Sequence, residues 1–184
     1  AAGEAFDKVA RVLGLSYPGG PNLEKLALEG DPNRYRFHSA FNEGEGFDFS
    51  FSGIKTAVVN RLHNAEQAGE AIERADLAAS FQKTVVDILA EKSVRASKAQ
   101  PGITGTKLAL AGGVSANTAL REAMQKRASQ AGISFYCPDF RYCTDNAAMV
   151  GSAAFGKLLR GQADALSLNA VPYLSIEASM EQSV

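Results

Sequence analysis

One segment in the second half of the chain restricts the fold more than any other. Residues 107–111 are predicted as a short strand, Gly112 and Gly113 as a turn, residues 115–131 as a helix and residues 133–136 as the next strand. This order predicts a β-α-β unit, whose right-handed crossover brings the turn to the carboxyl edge of a parallel sheet. Ligands of open α/β sheets collect at that edge, so we expect a site near the glycine pair.

The remaining regular structure is predicted to be helical. Apolar residues recur at helical spacing in the opening segment, through Phe6, Val9, Ala10 and Leu13, and again along residues 75–97. Further helices are expected over residues 21–28, 52–67 and 144–159. The predicted class is therefore α/β and helix-rich. Two or three short strands are fewer than the usual four to six or so, which predicts an incomplete sheet with part of the domain outside this chain.

A run of alternating aromatic residues precedes the helix that starts near Ser52. The alternation of Phe47, Phe49 and Phe51 fits a strand, because side chains two apart share one face of a sheet. A packed loop fits these residues nearly as well, and the sequence leaves both interpretations open.

Both ends of the chain carry boundary signals. No capping or turn residue precedes the opening helix, so we expect the chain to begin at a proteolytic or artificial boundary of a longer protein. Gly161 is predicted to stop the last helix, and the residues after it lack periodicity. The predicted organisation is one lobe over residues 1–161, followed by a flexible tail over residues 162–184.

Composition bounds the class of protein and its partners. Hydrophobic residues make up 46% and charged residues 21% of the 184, a balance typical of one globular domain. The 19 Lys and Arg against 20 Asp and Glu provide no excess positive field, which argues weakly against independent nucleic-acid binding. No apolar run approaches the roughly 20 residues of a membrane helix. We expect a cytoplasmic protein.

The cysteines and histidines do not form a complete metal site by themselves. Cys137 and Cys143 fit no familiar zinc spacing, so we predict reduced thiols that pack in a cytosolic protein. His38 and His63 lie far apart in sequence and are expected on the surface.

Two helix starts in the second half carry polar residues suited to a ligand. The turn that ends at Asn117 offers unpaired N–H groups and the helix dipole to an anion or a sugar, with the Asn117 amide pointing at the ligand. A plain helix start capped by Ser115 or Asn117 explains the same residues. Asp145, at the next helix start, is either a carboxylate ligand aimed into a cleft or a first-turn acid stabilised by the helix dipole.

The first 20 residues contain a third candidate site. Asp7 on the opening helix and Gly20 in the following turn would form a clamp for ribose hydroxyls, the carboxylate accepting hydrogen bonds and the glycine allowing close approach. The alternative is a solvated acid paired with a lysine.

Together these segments resemble the tRNA N6-adenosine threonylcarbamoyltransferase family, earlier described as O-sialoglycoprotein endopeptidases or glycoproteases. The resemblance covers the chain up to about Gly161 and corresponds to the C-terminal portion of the family. It depends on five segments in the family's order: Gly3-Glu4-Ala5-Phe6-Asp7-Lys8, Tyr17-Pro18-Gly19-Gly20-Pro21, Phe49-Ser50-Phe51-Ser52-Gly53-Ile54-Lys55-Thr56, Gly112-Gly113-Val114-Ser115-Ala116-Asn117 and Cys143-Thr144-Asp145-Asn146-Ala147-Ala148-Met149.

The resemblance implies an actin-like ATPase lobe and a set of site residues. Asp7, Gly20 and Asn117 would hold the adenosine and ribose of ATP or of threonylcarbamoyl-adenylate. Glu24 stands where relatives often have Asp and would share in ribose binding. Asp145 would be a ligand of one iron or zinc ion, whose two histidine ligands lie in the front lobe, as does the phosphate loop; both are absent from this chain. The resemblance assigns no catalytic residue here.

The implied reaction moves the threonylcarbamoyl group to N6 of adenosine 37 in ANN-decoding tRNAs, with the full-length protein as the acyltransferase and this fragment expected to be inactive alone. Two alternatives remain open, a metal-dependent glycoprotein endopeptidase and a non-catalytic ATP-binding module. The implied partners are tRNA, a paralogous actin-like subunit and a small P-loop ATPase, with no membrane.

Overall fold

The structure is a computed structural model that describes residues 1–38, 46–99, 106–170, 172 and 175. The chain packs as two compact units, Ala1–Asp145 and Asn146–Val184. The first unit contains every site residue predicted from the sequence. The predicted division after residue 161 stays a prediction.

The described helices and strands follow the predicted order. The first unit contains α1 (Ala2–Val12), α2 (Gly19–Ala27), α3 (Ser52–Ala68), α4 (Arg74–Lys98), β1 (Lys107–Ala109), α5 (Thr118–Gln130) and β2 (Ser134–Tyr136). Two 3-10 turns, Gly113–Ala116 and Phe140–Tyr142, precede and follow the α5–β2 segment. The second unit contains α6 (Ala147–Leu159). None of the described helices is long and apolar enough to cross a membrane.

Helix α4 is the centre of the first unit. Its residues Leu77, Phe81 and Val85 are fully buried, as the apolar spacing predicts, and they pack with α1, α2 and α3. The ring of Phe81 meets that of Phe6 from α1 edge to face, with centroids 5.3 Å apart. Each buried aromatic or branched side chain of this kind contributes roughly 1.5–3 kcal/mol. The other side of α4, including Val86, packs against α5.

The two strands confirm the predicted β-α-β unit. They pair in parallel with Lys107 opposite Ser134 and Leu108 opposite Phe135, and α5 is the connection between them. Leu108 and Phe135 pack on the apolar side of α5. In the described residues the sheet holds two strands, in agreement with the predicted small sheet of two or three short strands.

The segment before α3 is a packed loop rather than a strand. Residues 46–51 have no regular structure. The rings of Phe49 and Phe51 stack with centroids 6.1 Å apart, and Phe51 is partly buried against the core. Of the two interpretations that the alternating aromatics allowed, the loop is therefore the one that this segment adopts.

In the second unit α6 begins three residues later than predicted. The side chain of Asn146 accepts a hydrogen bond from the Met149 amide at 2.9 Å and so caps the helix at Ala147. None of the residues of α6 is buried, although Phe155 and Leu159 are large and apolar. Gly161, with φ of +70°, follows the helix end as expected. Residues 163–170 form neither helix nor strand, and the rest of the predicted tail lies largely outside the described residues.

Candidate functional site

A cavity of about 560 Å³ opens where α1, α2 and the turn before α5 meet. This volume lies within the roughly 300–1,000 Å³ typical of small-molecule sites. Asp7, Gly20, Glu24 and Asn117, the four predicted nucleoside-binding residues, all lie on its wall. The remaining lining residues are Ala1, Gly3, Phe6, Tyr17, Pro18, Pro21, Gly113, Val114, Ala116 and Thr144. The fold therefore brings together residues that are up to 110 positions apart (117 minus 7) in the sequence.

Asp7 joins α1 to the first turn of α2. Its Oδ1 accepts a hydrogen bond from the backbone amide of Gly20 at 3.2 Å. The residue that precedes α2, Pro18, has no side chain able to cap the helix, so Asp7 satisfies one of the amides that helix geometry leaves without a partner. Helix α2 consequently begins at Gly19 rather than at residue 21, and Gly20 lies inside the helix rather than in a turn. Lys8 contacts Glu4, so the alternative interpretation of Asp7 as an acid paired with a lysine is not supported.

Gly19 allows α1 and α2 to approach closely at this point. A Cβ atom added there would lie 2.7 Å from both the Cα and Oδ1 of Asp7 and 2.9 Å from the Cβ of Ala10. Real Cβ atoms do not make such contacts, so only glycine fits. The next residue, Gly20, faces open space at its Cβ position. Gly19 therefore allows the contact between the two helices, and Gly20 forms part of the cavity wall.

Glu24 makes the corresponding connection from α2 to α5. Its Oε1 accepts a hydrogen bond from the backbone amide of Thr118, the first residue of α5, at 2.7 Å. An ionised carboxylate has room for about four hydrogen bonds, so Glu24 and Asp7 both keep acceptor capacity for a ligand. Each carboxylate therefore accepts a hydrogen bond from the N-terminal turn of a helix and also lines the cavity.

Asn117 is buried and doubly held. Its Oδ1 caps α5 by accepting from the amide of Leu120 at 2.9 Å, and its Nδ2 donates to Oε1 of Gln82 on α4 at 2.8 Å. The predicted helix-cap role is therefore confirmed for Asn117. The predicted orientation toward a ligand stays a prediction. One of the two amide hydrogens is bound to Gln82, and the other has no hydrogen-bond partner among the described residues. Gln82 was not predicted from the sequence. The one feature that could have indicated it is that a polar residue occupies the apolar face of α4.

The turn between β1 and α5 is shaped by Gly112 and Ser115. Gly112 has φ of +85°, a left-handed conformation that favours glycine, and its carbonyl accepts from the amide of Ser115 at 2.9 Å. A 3-10 turn follows, so α5 begins at Thr118 rather than at the predicted residue 115. Ser115 is fully buried, and its hydroxyl has no hydrogen-bond partner among the described residues.

Asp145 lies next to the cavity wall but does not line it. It follows Thr144, which does line the cavity, and its side chain is exposed. The interpretation of Asp145 as a first-turn acid is wrong, because α6 begins at Ala147 and has no acid in its first turn. The described residues contain no group of three His, Cys, Asp or Glu able to hold a metal ion.

The charged side chains of the cavity wall are acidic, and the rest of the wall is largely apolar. Its charged side chains are the two carboxylates Asp7 and Glu24, and no lysine or arginine lies among the described lining residues. Carboxylates repel phosphate groups and accept hydrogen bonds from hydroxyls. The wall therefore suits the sugar and base of a nucleotide better than its phosphates.

The two cysteines behave as predicted. Both are free thiols; Cys143 is buried and Cys137 is partly buried. Burial raises the pKa of the Cys137 thiol, and the nearby Arg121 guanidinium only partly opposes this effect. A raised pKa keeps the thiol protonated and poorly reactive.

Comparison with known proteins extends the likeness over nearly the whole chain. The profile of the family described as TsaD, tRNA N6-adenosine threonylcarbamoyltransferase, matches residues 1–152. A curated protein of that name from Caldicellulosiruptor saccharolyticus is 52% identical over 181 residues, covering 98% of this chain and 52% of the relative. Relatives of the same name from Moorella thermoacetica and Clostridium botulinum are 51% and 49% identical, each over 96% of this chain and 51% of the relative.

The chain therefore belongs to the tRNA N6-adenosine threonylcarbamoyltransferase family. It spans about half the length of the curated relatives it matches. The family was identified from the sequence by the five motifs, and the profile match and the relatives confirm it.

Proposed function

We propose that this chain is the nucleoside-binding part of a transferase that moves the threonylcarbamoyl group from threonylcarbamoyl-adenylate to N6 of adenosine 37 in ANN-decoding tRNAs. The observation that carries the proposal is the convergence of Asp7, Gly20, Glu24 and Asn117 on one cavity. In the reaction the N6 nitrogen forms a bond to the carbamoyl carbon, the bond from that carbon to the adenylate oxygen breaks, and AMP leaves as the amine loses a proton.

In this proposal the two carboxylates bind the ribose of the adenylate. Asp7 and Glu24 each use one oxygen for a helix amide and have the other to accept from a ribose hydroxyl. Because both side chains are fixed at one oxygen, their remaining oxygens need little ordering when the ligand binds. Their role is to bind and orient the nucleoside.

The base would pack against the apolar part of the wall. Tyr17, Pro21 and Val114 offer flat or branched surfaces, and the second amide hydrogen of Asn117 can donate to a ring nitrogen or a ribose oxygen. Burial of the base between these residues excludes water from the sugar and holds the adenylate in one orientation.

The lobe itself would be one half of an actin-like ATPase fold. The parallel β-α-β unit and the covering helices are compatible with such a lobe, and the phosphate loop would come from a front lobe outside this chain. The absence of lysine and arginine from the described cavity wall fits this division, since phosphates need a different set of groups.

Only one side chain of this chain is proposed as a metal ligand. Asp145 is an exposed carboxylate beside the cavity, and carboxylates are suitable ligands for iron and zinc. The described residues do not complete a site, so two histidines of the front lobe would supply the other ligands. A bound metal ion would act as a Lewis acid toward the developing negative charge.

Recognition of the tRNA and of partner proteins would need more than this chain. Its basic and acidic residues are balanced, 19 against 20, which gives weak attraction to a polyanion. We therefore propose that the front lobe, a paralogous actin-like subunit and a small P-loop ATPase contribute to tRNA binding in the cytoplasm.

The test is transfer of labelled threonylcarbamoyl to unmodified tRNA. The full-length protein is combined with partner subunits and the adenylate, and the fragment is assayed in parallel. We expect transfer by the full-length protein and none by the fragment. No transfer by either, under conditions in which a known family member is active, would contradict the proposal and favour the ATP-binding module.

Asn117→Asp and Asn117→Ala refine this test. Aspartate keeps the acceptor that caps α5 but lacks the amide donor, while alanine lacks both. If Asn117 binds the nucleoside, AMP affinity falls in both variants. Both variants also lose the hydrogen bond to Gln82, and the alanine variant loses about 1 kcal/mol more stability because its cap is missing.

A further inference from the structure

We propose that Arg121 is a positioning residue that holds the two walls of the nucleoside cavity at a fixed separation. One wall is the turn Gly113–Asn117, and the other is the loop 138–144 that ends at Thr144. The proposal rests on the function proposed above, because it gives Arg121 its effect through the binding of the nucleoside.

The Arg121 side chain reaches both walls at once. Its Nε donates to the carbonyl of Ser115 in the first wall at 2.5 Å. Its Nη2 lies 2.6 Å from the carbonyl of Pro138 and 2.9 Å from the sulfur of Cys143, both in the second wall. The guanidinium also lies over the ring of Phe140, 4.0 Å from its centroid. One planar group thus makes four contacts across two segments.

The contacted residues adjoin those that line the cavity. Ser115 lies between Val114 and Ala116, which both face the cavity, and Cys143 immediately precedes Thr144. A shift of either segment relative to the other would change the space open to a ligand. The arginine does not line the cavity, so it acts on the ligand through these neighbours.

The place of Arg121 in its helix favours a tertiary role over a local one. It is the fourth residue of α5, and its backbone amide donates a hydrogen bond to the carbonyl of Asn117 at 3.1 Å. A cation near a helix N-terminus is disfavoured by the dipole. Helix stability therefore gives no reason for an arginine here, whereas the bonds to Ser115 and Pro138 do.

Lysine cannot make the set of contacts that Arg121 makes with Ser115, Pro138 and Phe140. The guanidinium donates from several nitrogens in a rigid plane and stacks on an aromatic ring, while the lysine ammonium is a compact charge on a flexible stem. We expect Arg121→Lys to keep the charge but lose the simultaneous bonds to Ser115 and Pro138 and the stacking on Phe140.

The experiment compares Arg121→Lys, Arg121→Ala and the control Arg127→Ala in the full-length protein. Arg127 lies six residues further along α5 and pairs with Asp87 of α4, away from the cavity. AMP affinity is measured by calorimetry, KM for the adenylate and kcat by transfer assays, and backbone protection of the two walls by hydrogen exchange.

Both Arg121 variants should bind AMP about tenfold more weakly, or about 1.4 kcal/mol. KM for the adenylate should rise more than kcat falls, and the loop 138–144 should exchange faster. Arg127→Ala should lower the melting temperature without these changes. A lower melting temperature in the Arg121 variants, with unchanged AMP affinity, KM and exchange in the loop, would overturn the proposal.

Failure of the proposed function gives a different result. If the parent protein does not bind AMP, the nucleoside assignment fails, while faster exchange of the loop 138–144 in the Arg121 variants would still support the positioning of the walls. Unchanged exchange would then reject the role of Arg121 as well.

Discussion

The side-chain amide of Asn117 donates a 2.8 Å hydrogen bond to Oε1 of Gln82, so a residue in the middle of α4 fixes the cap of α5. Both side chains are buried, and the partner atoms lie 35 residues apart in the sequence. Gln82 thereby orients one of the predicted nucleoside-binding residues from behind the cavity wall.

Loss of this hydrogen bond should be measurable as lost stability. Gln82→Ala leaves the Asn117 amide without its buried acceptor, which costs about 1–3 kcal/mol of unfolding free energy. Urea unfolding followed by circular dichroism measures the change. The control Gln67→Ala removes an exposed glutamine that hydrogen-bonds to His63 in α3, and it should cost less than about 0.5 kcal/mol. Equal losses of unfolding free energy in the two variants would show that the buried Gln82–Asn117 bond adds no more stability than an exposed contact.

Alanine at the two adjacent glycines of α2 should affect different properties: fold stability at Gly19 and AMP binding at Gly20. Gly19→Ala places a Cβ 2.7 Å from Asp7 and should destabilise the fold by about 1–3 kcal/mol through overpacking. Gly20→Ala meets nothing within 4 Å, so the fold should keep its stability, while the added methyl on the cavity wall should weaken AMP binding. Thermal unfolding and calorimetry of both variants test this. A stable Gly19→Ala protein would contradict the close packing of α1 on α2.

Asp87 should make part of the stability dependent on acid pH. Burial raises the pKa of Asp87, but hydrogen bonds and charges from Lys83 and Arg127 outweigh it and leave the pKa below its usual value. A lowered folded-state pKa contributes stability above the unfolded value of about 3.9 and loses it as pH falls through the folded value. Since the side chain is partly exposed, the contribution should be less than about 1 kcal/mol.

The measurement is unfolding free energy between about pH 6 and pH 2.5 for the parent and Asp87→Asn. The variant should be less stable at the upper end, and the difference should shrink as pH falls below about 3.9. Asp164→Asn, at an exposed position in the second unit, serves as the control and should follow the parent. A difference that grows on acidification would contradict the assigned sign.

Asp145→Ala should reduce the metal content of the full-length protein. Removal of one ligand from a site of few ligands is expected to weaken binding by about tenfold or more. Metal per protein is measured by mass spectrometry after dialysis, together with the rate of threonylcarbamoyl transfer. Asp139→Ala removes another exposed acid of the same loop, one that pairs with Arg141, and is the matched control. Unchanged metal content and transfer rate in Asp145→Ala would reject the proposed role of Asp145.

Local sequence patterns predicted the elements of this chain well. The spacing of Leu77, Phe81 and Val85 predicted the buried face of α4, and the glycine pair at Gly112 predicted the turn between β1 and α5. These features depend on side-chain periodicity and on backbone conformation, which a few neighbouring residues decide. The family could be identified from the sequence because its five motifs are also short local patterns, and they occur in the family's order.

The starts of helices were predicted less well. Helix α2 begins at Gly19 because Asp7 of another helix satisfies its first turn, and α5 begins at Thr118 after a 3-10 turn and a cap that Gln82 holds. Asn117 is a local cap that the sequence predicted, but the contacts of Asp7 with Gly20 and of Gln82 with Asn117 come from side chains distant in sequence, which no local pattern reveals.

The sequence by itself determined which helices and strands form, the β-α-β order and the family, since each depends on short-range patterns. Only the tertiary structure decided that Asp7, Gly20, Glu24 and Asn117 share one cavity, that Asp7 and Glu24 each also cap a helix, and that Arg121 bridges two walls. The physical reason is that these contacts exist only after the packing of α1, α2, α4 and α5 has brought residues remote in sequence within hydrogen-bonding distance.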